Sequence, residues 1–233
     1  MSDQSPHQAA APGRLMLADA LALWVGRTLL ALVGAVLLLE VLGRLRSRFL
    51  HYPAPHTTAR FLDSLLRRAL QPPAEVIAAA GIHPGMTVLE LGPGPGTYTI
   101  EAARAALPGG RVIAVDIQAE MVEFLRRKAE RFGVANIETH VADAYHLPVA
   151  DESVDLVYMV TVLAEIPDRQ RALAEVRRVL KPGGALAVSE FLPDPDYPLR
   201  ITVRRWAEAA GFVSEGEQGN WLWYVLTFRK RDA

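Results

Sequence analysis

Cysteine is absent from all 233 residues. That excludes disulfides, thiolate-bound metals and a cysteine nucleophile, and leans only weakly towards a cytosolic address. An excess of charge of either sign is missing as well. The 25 Lys and Arg offset 26 Asp and Glu, for a formal net charge of −1. A dedicated nucleic-acid binder carries a basic surplus. The short basic runs here, such as Arg126-Arg127-Lys128 and Arg229-Lys230-Arg231, read as solvated helix faces or the C-terminal end. No internal repeat is present. No metal site is expected either, because His140 and His146 are six residues apart with no helix between them.

Hydrophobic residues, at 51%, are plentiful and unevenly spread. Residues 1–14 are polar and read as a disordered tail, followed over 15–48 by a hydrophobic helix with a basic flank. Within it, Trp24–Leu42 approaches the length of a bilayer core and holds seven leucines and four valines. These favour insertion by about 5 kcal/mol against about 3 for Arg27, which lies one turn from the end. The expectation is a transmembrane or membrane-associated helix. Arg44, Arg46 and Arg48 then place everything downstream on the cytosolic side. A proline-broken linker follows, and a cap helix from Thr57 or Thr58 to Leu70, the two together spanning 49–73. This cap helix alternates Phe61, Leu62, Leu65, Leu66 and Ala69 with Arg60, Arg67 and Arg68, which suits a lid with arginines at anionic headgroups.

From residue 74 to 233 the rhythm changes. Apolar runs at 87–91, 112–117, 137–141, 154–160 and 185–191 alternate with helical patterns at 97–107, 118–132 and 168–180. Met121, Phe124, Leu125 and Phe132 share one face of the second helix. Strands without strict polar alternation, separated by helices, predict an α/β fold with a doubly wound, mostly parallel sheet. A helix at 199–210 and two strand-like runs around Gly219-Asn220 complete seven strands, the last two as an antiparallel hairpin.

The chemistry is concentrated in "LELGPGPGTY", beginning at Leu89. Gly92, Gly94 and Gly96 sit where the first strand meets the first helix, the ligand crevice of such a sheet. Pro93 stiffens the loop between two of them. Helix N-termini favour an anionic group, and Asp116, about twenty residues on, suits a ribose diol. The spacing G-x-G-x-G differs from the dinucleotide pattern G-x-G-x-x-G, and Glu90 before it repels pyrophosphate but suits an ammonium. A nucleoside bearing an amino-acid tail satisfies all three features, which describes S-adenosylmethionine. Tyr98, Tyr145, Tyr158 and Tyr197 lack a lysine four residues later, which counts against a short nicotinamide oxidoreductase.

At "VLELGPGPGTYT" (88–99), "VIAVDIQAEMVE" (112–123), "HVADAYHLPVADESVDLVYM" (140–159), "VLAEIPD" (162–168) and "ALAEVRRVLKPGGALAVSE" (172–190), the chain resembles the class I S-adenosylmethionine-dependent methyltransferases. Within them it is most similar to the branch that includes the ubiquinone/menaquinone-biosynthesis enzymes. The resemblance implies that Glu90 and the Gly92–Gly96 loop meet the methionine moiety, Asp116 the ribose and Ile117 the adenine. It further implies that Asp143, with Ala144, contacts the adenine amino group. Two departures matter. No Asn/Asp-Pro-Pro-aromatic motif follows the fourth strand, and Glu165 stands where relatives often carry histidine. Glu165 is therefore the candidate base, competing with a plain surface role. The short stiff linker and the apolar N-terminus point to a lipid or quinone-like acceptor at the membrane. A soluble acceptor, or a non-catalytic binding module, is the alternative.

Overall fold

The structure, a computed structural model, describes residues 63–231, Thr57 and, near the N-terminus, residues 22–32, 34, 35, 38, 41 and 42. Two compact units divide the chain, Met1–Arg46 and Ser47–Ala233. In the first, every described residue is helical, and large apolar side chains such as Leu23, Trp24 and Leu30 are exposed. Among the described residues no helix is long and apolar enough to cross a membrane. The spanning window expected at Trp24–Leu42 is therefore not supplied by them, and several of its positions lie outside them. The expected tail, the arginine flank and the linker at 49–56 also lie outside the described residues.

The second unit opens with α1 (Leu65–Leu70) and α2 (Pro73–Ala80). A single helix from Thr57 or Thr58 to Leu70 is not what forms. Asp63 is in a turn, and Ser64 is an extended N-cap whose hydroxyl accepts from the Arg67 amide. A cap oxygen satisfies one of the orphan amides of a helix start, so Ser64 begins a new helix. Phe61, Leu62 and Arg60 lie outside the described residues. Pro72 and Pro73 separate α1 from α2, with proline at the first position of α2 where its missing N–H costs nothing.

Then follow β1 (Thr87–Leu91), α3 (Thr99–Ala105), β2 (Arg111–Asp116), α4 (Ala119–Phe132), β3 (Ile137–Val141) and β4 (Val154–Val160). The chain continues through α5 (Arg169–Val179), β5 (Leu180–Phe191), α6 (Arg200–Ala209), β6 (Phe212–Gly219) and β7 (Trp223–Lys230). Asp168 caps α5, its side chain accepting from the Arg171 amide. On α4 the buried stripe is Met121, Val122, Leu125 and Ala129. Phe124 and Phe132 stay partly exposed, with guanidinium groups over their rings. Of the four residues expected to share one face, Met121 and Leu125 are buried and Phe124 and Phe132 are not.

The seven strands order as β3-β2-β1-β4-β5-β7-β6. The first five run parallel, and β7 pairs antiparallel with both β5 and β6. Helices α2 and α3 cover one face and α5 and α6 the other. With apolar side chains needed on both faces, the central strands carry continuous rather than alternating hydrophobic runs. Asp155, at the start of β4, accepts from the Thr87 amide at 2.8 Å and Lys181 at 2.6 Å, a structural role. The connections reverse direction between β1 and β4, so the ligand crevice lies outside the carboxyl ends of those strands.

Candidate functional site

The three loop glycines at the end of β1 do different work. A Cβ on Gly92 would lie 2.5 Å from Val162, and one on Gly96 2.5 Å from Leu125 of α4. These two allow close packing. Gly94, at φ +52°, has nothing within 4 Å of a Cβ, so it borders open space. Its amide donates to Asp116 Oδ2 at 3.1 Å, and the Gln118 amide donates to Oδ1 at 2.9 Å. A carboxylate offers about four acceptor positions, so room remains for a diol. Burial raises the Asp116 pKa against the pull of these amides.

Glu90 lies beneath the loop, paired across the sheet with Ala114 and Tyr158. It is buried, and among the described residues its Oε2 completes no hydrogen bond of good geometry, although the equally unmatched Thr99 Oγ1 and Tyr158 hydroxyls lie close enough to act on its charge. Desolvation pushes the Glu90 carboxyl up to about 7. The Thr99 and Tyr158 hydroxyls oppose that rise, Asp116 adds to it and Lys128 opposes it. A buried carboxyl with an open acceptor position fits a cationic ligand group. Orphaned Glu90, the space at Gly94 and the free valence of Asp116 together fit a nucleoside carrying an ammonium.

Ile117 is exposed beside Asp116, in keeping with an apolar wall for a base. Asp143 reaches the same rim after β3, where the Ala142 amide bonds to Asp116 O. Its Oδ1 is taken by the Tyr145 amide at 2.8 Å, and His146 Nδ1 lies 3.1 Å away. Against a desolvation effect that raises it, His146 and the Tyr145 amide hold the Asp143 carboxyl below its ordinary range. Ala144 packs on the core beneath. Thus the residues expected for the nucleoside gather along the ends of β1, β2 and β3. Glu165 stands apart, half-buried in the loop after β4.

A second polar cluster, at the ends of β4 and β5, was not expected. Arg67 of α1 is buried, its guanidinium 5.0 Å above the Phe191 ring. It donates to Thr161 Oγ1 at 3.0 Å and Gln71 Oε1 at 3.3 Å. Gln71 donates to Ser189 Oγ at 3.1 Å and accepts from the Tyr98 hydroxyl at 2.7 Å. Arg67 is therefore not available to lipid headgroups, whereas Leu65 and Leu66 face solvent. For these three residues the expected order is reversed, while Arg68 stays partly exposed against Asp63. Thr161 holds φ +55°, a costly conformation for a β-branched residue and one that clusters at functional sites. Asp63 ties the segment down: Thr97 Oγ1 at 3.1 Å, Lys128 Nζ at 2.6 Å and Arg68 Nη1 at 3.5 Å all reach its Oδ1. No periodicity marks Asp63, Arg67 or Gln71, each of which has a partner tens of residues away. Among the described residues no group of His, Cys, Asp and Glu could hold a metal.

Comparison with known proteins agrees with this geometry. The family model described as "Methyltransferase domain" matches residues 82–224. An arsenite methyltransferase of Halobacterium salinarum is 39% identical over 121 residues, 52% of this chain and 31% of that protein. A ubiquinone/menaquinone biosynthesis C-methyltransferase of Haemophilus ducreyi is 39% identical over 116 residues, 49% of this chain and 45% of that one. The chain thus spans less than half the length of these curated relatives. The crystal structure of a SAM-dependent methyltransferase from Aquifex aeolicus superposes with a TM-score of 0.72 at 25% identity, covering 76% of this chain and 100% of that one.

Proposed function

Because the chain belongs to the methyltransferase domain family, we propose that it transfers a methyl group from S-adenosylmethionine to a small acceptor with a polar reacting head and a lipophilic body. The observation that carries the first half is the open space beside Gly94, whose amide donates to Asp116, together with the unmatched buried Oε2 of Glu90 at the end of the same strand. Bound there, the cofactor supplies a methyl group on an already activated sulfonium. The chain's own part is positioning, which accounts for most of the acceleration in such transfers. Glu90 holds the ammonium, Asp116 the ribose hydroxyls, and Ile117 packs on the adenine, with Asp143 and Ala144 at its far edge.

The lipophilic body is supported by exposed apolar side chains near the carboxyl ends of the strands. Leu65 and Leu66 lie on α1, and Leu199 and Ile201 flank Arg200, which bonds to Asn220 O beside exposed Trp221. The relative acting in ubiquinone and menaquinone biosynthesis points to a quinone-like acceptor. We place the catalytic unit at the cytosolic face of a membrane, held there by the apolar N-terminal segment. Calorimetry with S-adenosylmethionine tests the cofactor, and transfer of labelled methyl to a lipid extract tests the acceptor. Label appearing only in water-soluble products would sink the lipid half and leave the methyltransferase half standing. That second reading, a soluble acceptor, is favoured by the polar cluster of Arg67, Gln71 and Ser189. Tight binding without any transfer would instead make the chain a non-catalytic module.

A further inference from the structure

Glu190 is the most heavily buried carboxylate left unused. It lies at the carboxyl end of β5, is 1% exposed, and its Oε1 has no hydrogen-bond partner among the described residues. An unmatched buried carboxyl costs more than an unmatched neutral group, whose penalty is already about 1–3 kcal/mol, so a fold retains one for a reason. Packing alone offers none, since an apolar residue would fill the same space.

Its position supplies the reason. Along the rim of the sheet the residues for adenine, ribose and amino-acid tail follow strand order: Asp143 after β3, Asp116 on β2, the Gly94 loop after β1. Glu90 pairs in register with Tyr158 of β4, which brings the tail end of that series to the β1–β4 boundary. The next places on the rim are Thr161, just after β4, and Glu190 on β5. Val160 pairs with Ser189, so Thr161 and Glu190 stand level. An acceptor approaching from the side opposite the nucleoside therefore arrives over β4 and β5.

The surroundings suit a proton-accepting carboxyl. Arg169 of α5 is fixed by hydrogen bonds to Leu163 O at 3.2 Å and Ala164 O at 2.6 Å, its guanidinium 4.5 Å over Trp206. It feels the charge of Glu190 and Asp196. The charge of Arg67, on α1, also acts on Glu190. The other charged or titratable neighbours are Glu165 before α5, Asp194 and Asp196 after β5, and Tyr224 of β7, which faces Glu190 in register. Burial, then Asp194 and Glu165, raise the Glu190 pKa well above the carboxylate range, while Arg67 opposes them.

We propose that Glu190 is the catalytic residue that takes the proton from an acceptor of the phenol or enol class, with Arg67 a positioning residue that holds Thr161 beside it. The inference rests on the methyltransferase reading. The acceptor's O–H proton passes to Glu190 Oε1. The pair that held it becomes the bond from oxygen to the methyl carbon. The pair of the breaking sulfur–carbon bond stays on sulfur as a neutral thioether. The starting charges, one negative on Glu190 and one positive on the sulfonium, cancel in a neutral product set. A carboxyl of raised pKa is a stronger base than an ordinary one, provided it is ionised, and a cofactor cation beside it favours that. Glu165, the candidate from sequence, is a half-buried neighbour whose charge bears on Glu190, so the two carboxylates are told apart by substitution.

The test uses the full chain, S-adenosylmethionine labelled in its methyl group, and a total lipid and small-molecule extract of the source cells as acceptor pool. Glu190→Gln keeps the shape but cannot ionise. It should bind S-adenosylmethionine within twofold of the parent by calorimetry and lose about a hundredfold or more in kcat, with little change in KM for the acceptor. The rise of rate with pH seen in the parent should vanish in it. Glu190→Asp, which keeps a carboxylate, should recover part of the rate and the pH limb, and so also serves if Gln folds poorly. A Glu190→Gln enzyme with kcat within threefold, or one that keeps the pH limb, overturns the proposal. So does loss of the limb in Glu165→Gln instead. If the parent binds S-adenosylmethionine but labels nothing, the methyltransferase reading fails and takes this with it. Transfer that is indifferent to Glu190 sinks this proposal alone.

Discussion

At Gly94 the backbone turns through φ +52°, and a Cβ there meets no protein atom within 4 Å, so a small side chain competes chiefly with a ligand. Gly94→Val should therefore leave a folded protein, destabilised by about 1–2 kcal/mol of left-handed backbone strain, that no longer binds S-adenosylmethionine in calorimetry. Normal binding would make the loop a mere turn. Asp116→Ala removes hydrogen bonds to a diol worth about 1.5–3 kcal/mol each and also frees the Gly94 amide. Affinity should fall at least about a hundredfold, and a loss under threefold would end the ribose assignment. Glu90 adds a pH dependence. Its folded-state pKa, about 7, exceeds the unfolded value of 4.5. Between those pH values the unfolded chain has released the proton that the fold still holds. The free protein should thus lose stability as pH rises from 4.5 to 7, by the order of 3 kcal/mol. An ammonium at Glu90 favours the ionised form, so cofactor affinity should rise over the same interval, with proton release visible by calorimetry in buffers of different ionisation enthalpy. Glu90→Gln should flatten both trends. The sequence marks all these residues, because a glycine loop followed twenty residues later by an acid is a local pattern. What it hides is that Gly92 and Gly96 serve Val162 and Leu125, since those partners come from distant segments.

Among the elements, the parallel strands were readable for a physical reason: burial on both faces leaves apolar runs that no amphipathic helix shows. The β7 strand likewise declares itself in "WLWYVLTFRK". The break at Asp63 and Ser64 is not readable, because the carboxylate of Asp63 is drawn to Thr97 and Lys128, 34 and 65 residues away. The burial of Arg67 is unreadable for the same reason: on a helical wheel it belongs with Arg68, and only Phe191, Thr161 and Gln71 turn it inward. Asp63→Ala should leave the largely buried Lys128 amine without its carboxylate. That costs about 2 kcal/mol and lowers the melting temperature by roughly 4–8 °C. Amide exchange should speed up in α1 and not in β1 or β4. Uniform acceleration would show that α1 is not a separately released element.

For the whole molecule, the division at residues 46 and 47 matters most. Every residue placed at the nucleoside lies in the second unit, so a chain beginning at Ser47 should bind S-adenosylmethionine within twofold of the full chain. A tenfold loss would show that the N-terminal unit completes the site. Within the second unit, the three donors gathered on Asp63 have a kinetic consequence. The short helix α1 is fastened at one end to Thr97 and Lys128, near the proposed nucleoside site, and at the other, through Arg67 and Gln71, to Thr161 and Ser189, near the proposed acceptor site. Were it to swing aside as a unit, both places would open together, and an occupied nucleoside site would steady only the first fastening. Turnover should then follow a compulsory order, cofactor before acceptor. An unreactive acceptor analogue would then inhibit uncompetitively against S-adenosylmethionine, whereas random entry would make that inhibition non-competitive.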